Sequence, residues 1–76
     1  MDHENALSDT LEFGATAQVG DDIRSLRKSR TMTISDLAGH VGRSIGWLSQ
    51  VERGQTEPAI ADLKKIARLF GIPVSF

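Results

Sequence analysis

Seventy-six residues with a formal net charge of −1, no cysteine, no tyrosine and one tryptophan set narrow bounds. A chain of this length forms one domain with a modest core, and without thiols it has neither a disulfide framework nor a thiolate metal site. No apolar run reaches the length of a membrane span and the acidic opening does not read as a signal peptide, so a cytoplasmic setting is expected.

The charge is unevenly distributed. Residues 1–18 carry Asp2, Glu4, Asp9 and Glu12 and no Lys or Arg, a charge of −4. Residues 19–76 hold all nine Lys and Arg against six Asp and Glu, a charge of +3. The sequence therefore divides into an expected flexible acidic tail, 1–18, and a mildly basic domain, 19–76.

Within that domain, Val19, Ile23, Leu26 and Arg30 fall at helical spacing, with Asp21 and Asp22 placed to meet a helix dipole, which predicts a first helix over about 19–30. Thr33 followed by Asp36 has the spacing of a capping box; Leu37, Ala38 and Val41 then form the stripe of a second helix, about 34–41, ended by Gly42. Ser44 caps a third, about 45–53, with Leu48 and Val51 inward and Gly54 as its stop. "QTEP" is a turn. Ile60, Leu63, Ile66, Ala67 and Phe70 give the clearest period in the chain and a fourth helix, about 59–70, closed by Gly71. Pro73 opens one turn of a possible fifth, 73–76, which is expected to continue beyond Phe76. The fold class expected is all-α, a compact bundle of four to five helices.

Two short helices joined at Gly42 raise a helix-turn-helix arrangement. It needs a small residue where the helices cross, a turn residue free to adopt an unusual backbone conformation, and apolar residues facing back from the second helix. Ala38, Gly42, Leu48 and Val51 meet those needs in order. A bare αα-corner meets them too.

The combination of Arg24, Arg27, Thr33, Leu37, Ala38, Gly42, Ser44, Leu48, Ser49, Glu52 and Gly54, with "LSQVERG", Pro58 and "LKKIARLFGIPVSF", resembles the Cro/CI-type helix-turn-helix family, also called the xenobiotic response element family. The resemblance covers about residues 19–76 and implies a lambda-repressor-like bundle. From "WLSQVERG" to "GIPVSF" it is most similar to regulators that add a C-terminal cupin-like sensor.

The resemblance implies that the third helix enters the major groove of double-stranded DNA. Ile45, Gly46, Ser49 and Gln50 would then face bases; Gln pairs bidentately with adenine, and an aliphatic side chain meets a thymine methyl. The alternative for Ser49 and Gln50 is a solvated helix face, and for Ile45 inward packing. Trp47 is expected as a wedge between the third and fourth helices. Phosphate contacts fall to Thr33, the amides near Ile34 and Ser35, Arg43, Arg53, and the loop with Gln55 and Thr56. Two positions depart from the family pattern: Ile34 stands where Gln is usual, and Arg43 where an aliphatic residue is common. Ala59 also replaces the usual hydroxyl cap of the fourth helix. Arg27 and Glu52 correspond to an ion pair that orients the reading helix.

His40 reads as a surface residue, and Lys64, Lys65 and Arg68 as a solvated face. No nucleophile–base pair or metal-ligand spacing is visible, so neither an enzyme nor a cofactor is expected. The function expected is a transcriptional regulator, of repressor type, on a palindromic operator, dimeric on DNA or through a further C-terminal region. The rival reading is a protein-interaction module, antitoxin-like or coactivator-like, on the same fold.

Overall fold

A computed structural model of the chain describes residues 16–73. Most of the acidic segment and the expected fifth helix from Val74 onward lie outside the described residues. Four helices make up the remainder: α1 (Thr16–Ser29), α2 (Ile34–Val41), α3 (Ile45–Glu52) and α4 (Ile60–Phe70).

Among the described residues α1 reaches back to Thr16, three residues before the position expected from the apolar period. Nothing in "TAQ" opposes a helix, and Ala and Gln favour one, so the helix extends back past its first buried residue, Val19. Asp21 and Asp22 consequently lie in the second turn, and the first turn carries no acid. The dipole argument for that pair therefore fails. The helix ends at a tight turn in which Thr31 takes a left-handed backbone (φ 53°) and the Met32 amide donates to the Arg27 carbonyl at 3.1 Å.

Helix α2 opens with a complete capping box. Thr33 Oγ1 accepts from the Asp36 amide, and Asp36 Oδ2 accepts from the Thr33 amide, each at 3.0 Å. These bonds hold the Asp36 carboxyl below the usual carboxylate range. At the far end Gly42 is left-handed (φ 80°), which lets its amide and that of Arg43 both return to the Ala38 carbonyl, at 2.9 and 3.0 Å. Ser44 then caps α3, its Oγ accepting from the Trp47 amide at 3.0 Å.

The core is built from Val19 and Ile23 of α1, Leu37, Ala38 and Val41 of α2, Leu48 and Val51 of α3, and Leu63, Ile66 and Phe70 of α4. Each large side chain buried in this way contributes roughly 1.5–3 kcal/mol of transfer free energy. Helix α1 packs chiefly on α3, and α2 packs on both α3 and α4. Arg30, just past the end of α1, reaches the end of α4: Nη2 donates to the Phe70 carbonyl at 3.0 Å while the guanidinium lies 5.3 Å from the Phe70 ring centre.

Ile60 departs from the expected inward stripe and is 54% exposed. It is the first residue of α4, where the stripe runs out. Ala59 caps that end with no side-chain hydrogen bond.

Candidate nucleic-acid interface

The turn between α2 and α3 fixes how α3 is presented. Ala38 is buried where α2 meets α3, and Gly42 reverses the chain, so Leu48 and Val51 face inward. The opposite side of α3 is left open. Ile45 is 50% exposed, which excludes the inward packing considered for it. Gly46 and Gln50 are exposed, and Ser49 is half-buried. Among the described residues, a methyl group placed on Gly46 would meet no atom within 4 Å beyond its chain neighbours and its own helix backbone. The protein's own packing therefore does not require a glycine there, although a glycine inside a helix costs about 1 kcal/mol relative to alanine.

Gln50 is not an isolated side chain. Its Oε1 accepts from Thr56 Oγ1 at 3.1 Å, which links the exposed face of α3 to the loop before α4. That loop is held to α3 by the Gln55 amide, which donates to the Gln50 carbonyl at 2.8 Å. Gln55 is exposed and Thr56 half-buried.

Arg27 and Glu52 join α1 to α3. Nε and Nη2 of the arginine donate to the two carboxylate oxygens at 2.8 and 2.9 Å, and Nη1 donates to the Met32 carbonyl at 3.0 Å. The Glu52 hydrogen bond raises the Arg27 pKa further. A pair this enclosed adds little net stability but penalises any arrangement that separates it, so it fixes α3 relative to α1 and to the entry of α2. Gly20 makes that closeness possible. A Cβ there would lie 2.7 Å from the Glu52 carbonyl oxygen and in conflict with Val51 O.

Beside this pair is an open cleft of about 230 Å³ lined by Arg24, Arg27, Ile34, Ser49, Glu52 and Arg53. It gathers three helices, the expected Arg27–Glu52 pair, and three residues expected to contact DNA, Ile34, Ser49 and Arg53. Arg24 and Arg53 are exposed, while the charge of Arg27 is balanced by Glu52. At the cleft's edge the first-turn amides of Ile34 and Ser35 have no intrahelical acceptor. The Ile34 side chain is half-buried and packs on the core.

Arg43 has a different setting from the other basic candidates. Nε and Nη2 donate to Asp62 Oδ1 and Oδ2 at 3.2 and 2.9 Å, and the guanidinium lies 4.7 Å from the centre of the Trp47 ring. Trp47 is half-buried against the core. One turn further along α4 from Asp62, Lys65 Nζ donates to the Val41 carbonyl at 3.4 Å, and His40, Lys64 and Arg68 are exposed.

Sequence reasoning did not find Gly20 or Asp62. Gly20 carries a local signal, since a glycine one turn before Ile23 weakens the helix and so implies a close approach. Asp62 carries none: it meets Arg43 nineteen positions away, and no period relates the two.

Two short helices at a left-handed glycine turn, the second with an open polar face flanked by arginines and helix-end amides, define a helix-turn-helix unit. Residues 18–75 match the helix-turn-helix domain family, and the chain belongs to it. It is 38% identical over 52 residues to the HTH-type transcriptional regulator DdrOP3 of Deinococcus deserti, covering 68% of this chain and 40% of that protein. It is 35% identical over 57 residues to the transcriptional regulator ClgR of Mycobacterium tuberculosis, covering 75% and 51%. The HTH-type transcriptional repressor RghR of Bacillus subtilis is 36% identical over 55 residues, 71% of this chain and 41% of that repressor. The chain thus spans about half or less of the length of these relatives. No solved structure matches it significantly.

Proposed function

We propose that this chain is the sequence-reading unit of a cytoplasmic transcriptional regulator, with α3 in the major groove of double-stranded DNA. The observation that carries the reading is the outward row of α3, where open space above Gly46 lies one turn from the exposed amide of Gln50. A helix that only filled a core would gain from an alanine at Gly46. A helix that admits a base edge or sugar close to its backbone needs the glycine.

Gln50 meets a base through Nε2 and the remaining acceptor site of Oε1, in an orientation that Thr56 supports. Ile45 offers an apolar surface to a thymine methyl, and Ser49 a hydroxyl at the margin of the cleft. Phosphates are held by Arg53 and Arg24, by the amides of Ile34 and Ser35 at the start of α2, by the Thr33 hydroxyl, and by Gln55 and Thr56 in the loop. One unit covers one half-site, so a palindromic operator and a dimer on DNA follow from the reading. The regulator and repressor names of the relatives support repression as the outcome. The likeness to regulators with a cupin-like sensor supports an effector-binding domain joined to this unit.

The experiment pairs two variants against a duplex selected by the wild-type chain from a random library, and against its scrambled counterpart. Gln50→Ala removes a base contact and should lower affinity for the selected duplex by about tenfold, within the roughly 1–3 kcal/mol of a base contact, with little effect on the scrambled one. Arg53→Ala should weaken both equally and reduce the salt slope by about one. Equal binding of both duplexes by wild type and Gln50→Ala contradicts α3 as the reading helix.

A further inference from the structure

We infer that Arg43 is a positioning residue: clamped between Asp62 and Trp47, it fixes the opening turn of the reading helix against α4 rather than holding a phosphate. The inference rests on the DNA reading above and assigns this basic side chain a different task within it.

Helix α3 has eight residues, and its opening turn contains Gly46. Glycine leaves the backbone the greatest conformational freedom, so the feature that admits a close ligand also softens the turn that must present it. Packing on α1 and α2 holds the inner side of α3, but α3 and α4 make little direct contact. Arg43 bridges that gap. Its amide is tied to the end of α2 through the Ala38 carbonyl at 3.0 Å. Its side chain reaches the first turn of α4 at Asp62, and its guanidinium lies over Trp47, the residue after Gly46. One side chain therefore connects the turn, the start of α3 and the start of α4.

Asp62 is suited to hold it. The carboxylate is 9% exposed and receives both Nε and Nη2. The arginine's hydrogen bonds keep the Asp62 carboxyl below the usual carboxylate range, so it is charged throughout the neutral region. Seen from a phosphate beyond the clamp, the two opposite charges 2.9 Å apart largely cancel. One edge of the guanidinium, Nε and Nη2, is also committed within the protein. What remains of Arg43 is its planar fork, which meets a carboxylate and a ring face at the same time in a way that lysine does not.

The test uses the full chain with Asp62→Asn, Arg43→Met, Arg43→Lys and the Asp62→Asn/Arg43→Met double variant. Each is titrated against the selected and scrambled duplexes at several salt concentrations, well below its melting temperature. Each single variant should lose about tenfold in the ratio between selected and scrambled duplex, and the double variant no more than one single, as expected for partners in one contact. The salt slope should stay that of wild type, and Arg43→Lys should fail to restore selectivity. Emission of Trp47, the chain's one tryptophan, should shift in Arg43→Met and Asp62→Asn alike.

Three results overturn the inference while leaving the DNA reading intact. Asp62→Asn that tightens binding to every duplex and steepens the salt slope by about one makes Arg43 a phosphate holder restrained by Asp62. Arg43→Lys that restores wild-type affinity has the same meaning. Variants that melt earlier yet keep full selectivity reduce the clamp to a stability element. A wild-type chain that prefers no duplex overturns the DNA reading, and this inference with it.

Discussion

Replacing Gly20 by alanine puts the packing account at risk most directly. The added Cβ would stand 2.7 Å from the Glu52 carbonyl oxygen and 2.9 Å from its carbonyl carbon. Carbon contacts are comfortable at about 3.5–4.0 Å, so α1 and the end of α3 must part by roughly 1 Å. Both obstructing atoms are backbone, and no side chain can swing aside. Overpacking of this kind costs about 1–3 kcal/mol, and alanine returns about 0.5–1 kcal/mol of helix propensity. The net expectation is a loss of about 1 kcal/mol. For a domain of this size that is a fall in Tm of about 4–8 °C. Gly39 is the control. It lies in α2 with nothing within 4 Å of an added Cβ, so Gly39→Ala should gain about 0.5–1 kcal/mol and melt about 4 °C higher. Thermal and urea denaturation of both variants beside wild type gives the answer. A Gly20→Ala chain as stable as Gly39→Ala would refute the close approach of α1 to α3, and with it the reason Arg27 reaches Glu52.

Arg27→Met leaves the Glu52 carboxylate enclosed without its partner, and should cost on the order of 3 kcal/mol in urea denaturation. A loss below about 1 kcal/mol would mean that the pair is effectively solvated. Asp22 has a buried oxygen, Oδ2, without a hydrogen-bond partner among the described residues, and burial, then Asp21, pushes its pKa up. The folded state thus holds that proton more tightly than the unfolded chain, and stability declines as pH rises from the usual carboxylate range through the raised value. Asp22→Asn should therefore raise Tm at pH 7, with the gain disappearing below the usual carboxylate range; a gain that persists in acid would point to a cause other than charge. Deleting residues 1–15 removes all four tail carboxylates, and should raise duplex affinity at low salt but not at high salt, as fluorescence anisotropy would show.

Features of the site differ in how far the sequence revealed them. Local signals were clear. The Thr33–Asp36 box, the Gly42 turn and the Ser44 cap each act over three or four residues, and each is visible in the order of residue types. The reach of α1 was not. Its described part extends back to Thr16, ahead of Val19, and a period of buried residues marks only the part that has something to pack against. Ile60 shows the same limit from the other side, since it keeps the period of α4 where no neighbour covers it. Long-range polar contacts were hidden unless a resemblance supplied them. Asp62 lies nineteen positions from Arg43, and only folding brings the two together. The open space over Gly46 likewise has no signature in the sequence beyond the glycine itself.

Backbone amide resonances of the labelled chain, followed as the selected duplex is added, decide whether α3 and the elements beside it face DNA. The largest changes should fall at residues 33–35, 44–50 and 53–57, with those of His40, Lys65 and Arg68 nearly still. Changes centred on His40, Lys65 and Arg68, with Gly46 and Gln50 unmoved, would contradict it.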